Sequence, residues 1–227
     1  MKTVSILIPT YNEAENIKDI VQASIHVMTD KLPEYDYEVV VIDNASIDGT
    51  QEILRNLCKT DTKIKAILNA KNYGSVSSSF YGLLQCSGDA VVLITADFQD
   101  PPELIEVFVR EWEKGAEVVL GQKKESETNA IMHLLRLAYY KIINKMSDVD
   151  LLEQCTEYGL YDKGFIELLR EIEDNQPYLR GLVAKFSKKI KLVDYVQHKR
   201  RAGKSKFSFG FGNWHYIGTT RYGADEC

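Results

Sequence analysis

The chain of 227 residues has no long hydrophobic run and few cysteines. Its longest apolar stretches, Val39–Ile42 and Ala90–Ile94, are far shorter than the roughly 18 residues that a membrane-spanning helix needs. The four cysteines are scattered and include no CxxC pair, so neither a zinc site nor a disulfide framework is expected. The strand-like pattern starts at the N-terminus, without a signal peptide, and a cytoplasmic location follows as the expectation.

Several nucleotide-binding and hydrolytic motifs are also missing. No GxGxxG follows the first strand pattern, and Gly203-Lys204-Ser205 lacks the upstream glycine of a P-loop, because His198 stands there. Neither a GxSxG elbow nor an HExxH helix occurs. These absences argue against dinucleotide-dependent, P-loop, serine-hydrolase and zinc-protease chemistry.

Net positive charge is absent as well, since 28 Lys and Arg stand against 33 Asp and Glu, a net charge of −5. This balance argues against general nucleic-acid binding. The charge is nevertheless uneven, because residues 185–206 carry nine basic side chains and one acidic one, Asp194. Such a segment indicates a local anionic partner, either phosphate or a membrane surface, unless it is simply a solvated basic face.

The patterns that are present predict an α/β fold. Short strands alternate with helices over the first 120 residues, which indicates right-handed crossovers and an open, mostly parallel sheet. The predicted strands are 3–8, 38–42, 65–68, 89–94, 117–120, 158–161 and 189–196, and the predicted helices are 12–27, 47–57, 74–86, 100–114, 129–146, 164–172 and 177–186. Asn12 with Glu15, and Asp100 with Pro101, are interpreted as helix starts, with Asp100 as a cap.

Polar residues follow three of the predicted strands. They lie in 9–13, 43–46 and 95–100, and ligands of open parallel sheets bind beyond the carboxyl ends of the strands. Asp43 and Asp97 are therefore expected to face one crevice, as partners of a metal or a nucleotide rather than as a structural ion pair. Capping of the following helix is the alternative function for Asp43.

These segments, taken in order, resemble the motifs of family 2 glycosyltransferases. The resemblance covers about residues 3–206, and it favours the branch with dolichyl-phosphate mannose synthases and bacterial polyprenyl-phosphate glycosyltransferases. It implies a GT-A fold, a nucleotide-sugar-binding α/β sandwich. The matching segments are 5–16, 41–50, 72–74, 96–103, 158–162, 178–181 and 200–206.

The resemblance also implies a donor site. A nucleotide-sugar donor, UDP- or GDP-linked, would contact a set of residues in the first half of the chain, with Asp43 accepting a hydrogen bond from the base. Asp48 and Thr50 are expected to hold a turn instead. The implied donor-binding residues are Pro9, Tyr11, Glu13, Asp43, Asn72, Gly74 and Asp97. A plain turn is the alternative function for Asn72 and Gly74.

A divalent cation is implied at the end of the fourth strand. The family pattern there is Asp-x-Asp, but Thr95 replaces the first acid, so Asp97 and Gln99 remain as ligands. Oxygen ligands suit Mg²⁺ or Mn²⁺, and one carboxylate with substrate phosphates can suffice. The departure at Thr95 is expected to weaken the cation's binding.

The acceptor is expected to be either a lipid phosphate or a saccharide hydroxyl. A hydroxyl needs a general base, for which Glu157 is the candidate, whereas a phosphate needs only cations to place it. The matching segment near the end of the sequence supplies Arg200, Ser205 and Lys206 for phosphate binding, and Arg136 is a further candidate. A protein that binds nucleotide sugars without catalysis is the third possibility.

Residues 1–206 are expected to form the glycosyltransferase domain, and 207–227 an aromatic tail. The tail contains three Phe, one Trp and two Tyr beside the basic segment. Aromatic and basic side chains together favour the headgroup region of a bilayer. The expectation is peripheral contact with the inner face of a membrane, with packing of the tail on the domain as the alternative.

Overall fold

The computed structural model describes residues 1–124, 155–172, 178–198, 200 and 201, which form one seven-stranded sheet with helices on both faces. The sheet order is β3-β2-β1-β4-β6-β5-β7. Every strand pair is parallel except the two pairs made by β6, which runs antiparallel to β4 and to β5. The strands are β1 (Thr3–Thr10), β2 (Asp36–Asp43), β3 (Ile64–Leu68), β4 (Ala90–Leu93), β5 (Val118–Lys123), β6 (Cys155–Asp162) and β7 (Ile190–Tyr195).

The six described helices cover the two faces of the sheet in groups of three. Helices α1, α2 and α4 pack on one face, and α3, α5 and α6 on the other. The described helices are α1 (Ile17–Lys31), α2 (Thr50–Thr60), α3 (Ser75–Gln85), α4 (Leu104–Glu113), α5 (Lys163–Glu171) and α6 (Leu179–Phe186).

The central strands are apolar on both sides because both faces of the sheet are covered. In β1, Ile6 and Ile8 enter the core under α1 and α4, while Leu7 between them enters the core under α3. Helix α3 lies especially close to the sheet at Gly82. A Cβ atom there would come within 2.8 Å of Leu7 and 2.9 Å of Ile42, so the small residue lets the helix approach the strands.

The amino edge of the sheet holds a buried carboxylate, Glu38. Its Oε1 accepts hydrogen bonds from the Ser5 hydroxyl at 2.6 Å and the Ser87 backbone N–H at 2.7 Å, and Lys65 pairs with Oε2. Burial alone would raise the pKa of Glu38, but these partners outweigh it and hold the pKa at about 2. The ionised carboxylate therefore ties β1, β2, β3 and the turn before β4 together.

The predicted α/β class and mostly parallel sheet are confirmed, and three helix starts are corrected, of which α4 begins at Leu104 rather than at Asp100. Helix α1 begins at Ile17 rather than at Asn12, and its N-cap residue Asn16 makes no side-chain capping bond. Helix α2 begins at Thr50 rather than at Ile47, directly after Gly49, whose φ of 98° ends the preceding loop. The predicted helix at 129–146 lies outside the described residues. Among the described helices, none has the length and apolar character needed to span a bilayer.

Candidate active site at the carboxyl edge of the sheet

Three loops at the carboxyl ends of neighbouring strands contain unusual backbone. Asn12 after β1, Ala45 after β2 and Phe98 after β4 have φ values of 55°, 64° and 59°. Non-glycine residues adopt this left-handed region at a cost, and such strain clusters at functional sites. Since β1 lies between β2 and β4, the three loops are neighbours at one edge. This edge is the candidate active site.

The loops after β1 and β2 are clamped to each other by reciprocal hydrogen bonds. The Asn12 backbone N–H donates to Ser46 Oγ at 2.7 Å, and the Ile47 N–H donates to Asn12 Oδ1 at 2.8 Å. Asp48 accepts from the Thr50 hydroxyl at 2.6 Å and from the Ala14 N–H at 3.0 Å. The predicted turn-holding roles of Asp48 and Thr50 are confirmed.

Asp43, at the end of β2, is fully buried, and only one of its two carboxylate oxygens has described hydrogen-bond partners. Its Oδ2 accepts from the Ser46 N–H at 2.9 Å and from Gln51 Nε2 at 2.8 Å. Its Oδ1 is buried without a hydrogen-bond partner among the described residues. A buried carboxylate oxygen in this state is costly, and it indicates a polar partner that the described residues do not supply. Pro9 and Tyr11, on the adjacent strand and loop, are partly exposed beside it.

An asparagine cluster shapes the segment before α3. Asn44 Nδ2 donates to Asn72 Oδ1 at 2.9 Å, and Asn72 Oδ1 also accepts from the Gly74 N–H at 2.8 Å. Asn44 Oδ1 in turn accepts from the Tyr73 N–H at 2.9 Å. Gly74 has a φ of 85°, which a side chain would strain. The predicted pair Asn72 and Gly74 is therefore joined to the loop after β2 through Asn44, a residue that the sequence analysis did not single out.

Asp97 lies in the loop after β4 with one oxygen engaged in the loop itself. Its Oδ1 lies 3.0 Å from Thr95 Oγ1 and accepts from the Gln99 N–H at 3.1 Å. Its Oδ2 lies 3.5 Å from a guanidinium nitrogen of Arg200. The side chain of Asp97 is 13% exposed. The carboxylate is thus oriented by its own loop and turned towards a basic side chain.

Asp100 does not cap the following helix, and that prediction is wrong. Helix α4 begins at Leu104 with no side-chain capping bond. Asp100 is instead buried, and accepts from the Tyr195 hydroxyl at 2.6 Å and from the Thr95 hydroxyl at 2.9 Å. Burial raises the pKa of Asp100 and these hydrogen bonds lower it, with a net increase. The carboxylate accepts hydrogen bonds from these two hydroxyls rather than from the free N–H groups at the start of α4, so the side chain faces the loop after β4.

Arg200 joins two of the predicted donor-site acids. Its guanidinium contacts Glu13 Oε1 and lies 3.5 Å from Asp97 Oδ2. The backbone after β7 reinforces this arrangement, because the His198 N–H donates to the Gln99 carbonyl at 2.9 Å and the Arg201 N–H to the Asp97 carbonyl at 3.3 Å. The structure therefore brings Glu13, Asp97 and Arg200 together although they are far apart in sequence.

Glu157 reaches the same edge of the sheet because β6 runs in the opposite direction. Gly159 pairs with Leu93 in β4, so Glu157, two residues earlier, lies level with Thr95. Burial raises the pKa of Glu157, and the nearby Arg180 partly opposes the increase. No described contact joins Glu157 to Asp97. Arg136, Ser205 and Lys206 lie outside the described residues, as does the segment 207–227.

The donor atoms around Asp97 suit a hard cation held partly by a ligand. In the described part of the chain, no group of three or more His, Cys, Asp or Glu side chains could hold a metal ion. Asp97 contributes one carboxylate, and Gln99 an amide oxygen from the same loop. Mg²⁺ and Mn²⁺ are commonly held by one or two carboxylates with substrate phosphates. The residues therefore fit a cation that arrives with a diphosphate.

Comparison with known sequences places the chain among sugar transferases. A sequence model described as "Glycosyl transferase family 2" matches residues 5–169. An uncharacterized glycosyltransferase of Bacillus subtilis, YkcC, is 31% identical over 204 residues, which cover 89% of this chain and 62% of that protein. A prophage bactoprenol glucosyl transferase homolog of Escherichia coli is 28% identical over 212 residues, covering 93% of this chain and 68% of that protein. The chain thus spans less than two thirds of the Bacillus relative.

Solved structures of low sequence identity share the fold. The mannosyltransferase PcManGT from Pyrobaculum calidifontis, in complex with GDP-Man and Mn²⁺, superposes with a TM-score of 0.57 at 20% identity, covering 85% of this chain and 55% of that one. Staphylococcus aureus TarS 1-349 with UDP-GlcNAc gives a TM-score of 0.57 at 17% identity, covering 88% and 59%. The predicted GT-A fold is confirmed by these likenesses.

Proposed function

Because this chain belongs to glycosyl transferase family 2, we propose that it moves a sugar from a nucleotide-diphosphate sugar to a polyprenyl phosphate. The acceptor is inferred from relatives named as bactoprenol glucosyl transferases, which this chain matches over 93% of its length. The observation that carries the proposal is the meeting of Glu13, Asp97 and Arg200 at the carboxyl edge of the sheet. The carboxylates there suit a diphosphate donor that brings a divalent cation, and the guanidinium suits a phosphate acceptor.

The donor would lie across the loops after β1, β2 and β4. We propose that the nucleobase of the donor contacts Asp43, because its buried Oδ1 has no hydrogen-bond partner among the described residues and can accept from a nucleobase N–H. Pro9, Tyr11 and Glu13 would line the base and ribose pocket. In a separate segment, Asn72 and Gly74 would let the backbone approach the nucleotide. Both UDP and GDP carry an N–H edge that Asp43 can read.

A divalent cation, Mg²⁺ or Mn²⁺, would be held by Asp97 and Gln99 with the donor diphosphate. When bound, it offsets the negative charge that grows on the departing nucleoside diphosphate. The chain's own contribution is orientation, because the loop after β4 fixes Asp97 Oδ1 through the Thr95 hydroxyl and the Gln99 N–H. Displacement at the anomeric carbon by the acceptor oxygen would invert its configuration.

The acceptor phosphate would be placed by basic side chains. Arg200 can turn from the two acids to a phosphate, and Arg136, Ser205 and Lys206 are proposed as its companions. A phosphate oxygen is already ionised and needs no base. Glu157 favours a second candidate function, transfer to a saccharide hydroxyl in cell-surface polysaccharide assembly. Its raised pKa gives it the proton affinity of a general base at the level of Thr95.

A lipid acceptor requires access to a membrane surface. We propose that residues 1–206 form the catalytic domain and that the aromatic segment 207–227 contacts the inner face of the membrane peripherally. The basic residues before it would add about 1 kcal/mol each near an anionic surface. Co-sedimentation of the full chain with anionic vesicles at low salt tests this, and its loss upon removal of 207–227 is expected. Failure of the full chain to sediment would favour the saccharide acceptor.

The activity test is release of nucleoside diphosphate in Mn²⁺, with and without polyprenyl phosphate, from UDP-linked and GDP-linked sugars. Release that depends on the lipid phosphate supports the proposal. Release with a saccharide instead supports the second candidate, and donor binding without release indicates a binding protein. Asp97→Asn is the control, and it should abolish turnover while retaining the fold, because it removes the carboxylate charge from the cation. Near wild-type turnover of Asp97→Asn would contradict the site.

A further inference from the structure

A chain of side-chain hydrogen bonds runs beneath Asp97 from the last strand of the sheet. The Tyr195 hydroxyl, at the end of β7, donates to Asp100 Oδ1 at 2.6 Å. Asp100 Oδ2 lies 2.9 Å from Thr95 Oγ1, which lies 3.0 Å from Asp97 Oδ1. Asp100 is only 3% exposed. The side chains of Tyr195, Asp100 and Thr95 thus connect β7 to the carboxylate of Asp97.

The tyrosine end of this chain is held firmly in the sheet. The ring of Tyr195 packs edge-on against Tyr158, with centroids 5.7 Å apart. On its other side the ring fills the space over Gly121, where a Cβ atom would come within 2.9 Å of it. The Thr156 hydroxyl lies 3.4 Å from the Tyr195 hydroxyl. The hydroxyl therefore has a fixed position from which to orient Asp100.

The single hydroxyl proton of Thr95 links the hydrogen-bond chain to Asp97. A threonine hydroxyl has one proton, and Asp97 Oδ1 and Asp100 Oδ2 share it, at 3.0 Å and 2.9 Å from Thr95 Oγ1, so the hydroxyl is held between the two acids. Asp97 Oδ1 also accepts from the Gln99 N–H. Oδ1 is therefore committed to the loop, and Oδ2 is the oxygen turned outward towards Arg200. The orientation of Asp97 depends on where the Thr95 hydroxyl is held.

We propose that Asp100 and Tyr195 are positioning residues of the active site, which hold Asp97 Oδ2 towards the cation through the Thr95 hydroxyl. The inference rests on the proposed function, because it assigns Asp97 to a divalent cation. It also gives Thr95 a role of its own. In place of a metal-binding acid, position 95 carries a hydroxyl that orients the acid two residues later.

The decisive variant is Tyr195→Phe, which removes one hydroxyl and keeps the ring. Its matched control is Tyr158→Phe. The Tyr158 hydroxyl is also buried and donates to the Pro101 carbonyl at 2.5 Å, beside the same loop, but it is not a member of the hydrogen-bond chain from Tyr195 to Asp97.

Mn²⁺ binding to the full chain is measured by electron paramagnetic resonance in the presence of a saturating nucleoside diphosphate, UDP or GDP, because the site is expected to hold the cation together with a diphosphate. Loss of a direct hydrogen-bond partner of a metal ligand weakens binding about 10-fold or more. Tyr195→Phe acts on Asp97 through Asp100 and Thr95, so it should weaken binding by more than about 2-fold and less than about 10-fold. Tyr158→Phe should stay within about 2-fold of wild type, as it is no such partner.

Substitutions at the other links separate positioning from folding. Thr95→Val should lower Mn²⁺ affinity, and Thr95→Ser should restore it, since only the serine returns the hydroxyl. Asp100→Ala should act like Thr95→Val. Asp100→Asn should retain most of the affinity, because its amide can donate to Thr95 while its oxygen accepts from Tyr195. In turnover, raised Mn²⁺ should restore kcat of Tyr195→Phe, whereas a folding defect would not respond.

Equal Mn²⁺ affinity in wild type and Tyr195→Phe would overturn the proposal, as would equal losses in Tyr195→Phe and Tyr158→Phe. Absence of Mn²⁺ binding to wild type would overturn it as well. Failure of the proposed function has a different signature. In that case wild type binds Mn²⁺, the variants lose affinity in the expected order, and no sugar reaches polyprenyl phosphate.

Discussion

Removal of Arg200 should destabilise the protein and at the same time expose a site for a cation. The Arg200, Glu13 and Asp97 side chains are 19%, 9% and 13% exposed, so the two acids share one largely buried counter-charge. At the 3.5 Å separation of Arg200 from Asp97, unit charges attract by about 5 kcal/mol for an effective dielectric constant of about 20. Desolvation cancels part of this attraction, and we expect Arg200→Ala to lower the free energy of unfolding by about 2 to 3 kcal/mol.

The measurement is urea unfolding of wild type and Arg200→Ala, with and without Mn²⁺. Without the guanidinium, two carboxylates are left to attract a divalent cation, so Mn²⁺ should bind the variant more tightly than wild type. A cation at 100 times its dissociation constant stabilises the folded state by about 2.7 kcal/mol, which is enough to restore most of the loss. Turnover should nevertheless stay low, because the phosphate partner is gone.

Arg201→Ala is the matched control. Arg201 pairs with Asp19 at 3.0 Å, but the two side chains are 57% and 46% exposed. Such a surface pair contributes about 0 to 1 kcal/mol. The Arg201 guanidinium also lies 5.0 Å from the ring centroid of Phe98, in the loop after β4, so this variant is a control for stability and not for Mn²⁺ binding. If Arg200→Ala is as stable as Arg201→Ala in the absence of Mn²⁺, the coupling between Arg200 and the two acids does not exist in solution.

Three further predictions concern single carboxylates. Thr95→Asp should tighten Mn²⁺ binding in calorimetric titration, yet unfold more easily without metal, because it adds a negative charge between Asp97 and Asp100; unchanged Mn²⁺ affinity would contradict the geometry. Glu157→Gln should leave transfer to a polyprenyl phosphate nearly unchanged and suppress transfer to a saccharide hydroxyl, and the reverse pattern in product assays would contradict its assignment as a base. The pKa of Glu38 is about 2 in the folded state against 4.5 ordinarily, so its ionised form should contribute about 3 kcal/mol above pH 4.5, which is lost as pH falls towards 2. In chemical unfolding across this range, stability should fall more steeply in wild type than in Glu38→Gln, and equal slopes would contradict the assignment.

The sheet was predictable because its strands carry a local signal. Val39–Ile42 and Ala90–Ile94 are continuous apolar runs, the pattern of strands buried on both faces. Helix starts were predicted less accurately. Asn12 has the residue type of a cap, but its side chain accepts a hydrogen bond from Ile47, and helix α1 begins only at Ile17. Local capping preference was outweighed there by a contact between two loops.

The site was predictable in its residue types but not in its connections. Asp43, Asp97 and Glu13 were marked by their positions after strands. Asp100 resembled a helix cap because two prolines follow it. Nothing in the neighbouring sequence indicates that it accepts a hydrogen bond from Tyr195, 95 positions away. The contact of Arg200 with Glu13 spans 187 positions. Pairings at such separations arise from the topology of the sheet, which residue patterns do not specify.

The reversed direction of β6 has a consequence for where the chain can vary in length. Strand β5 ends, and β6 begins, at the carboxyl edge, and β7 also ends there. The stretches that follow Lys124 and Arg201 in the sequence are therefore both attached at the rim of the site. The carboxylate network of Glu38 lies at the opposite rim. The chain can thus vary in length after Lys124 and after Arg201 without altering a strand register, while the far rim continues to secure the scaffold.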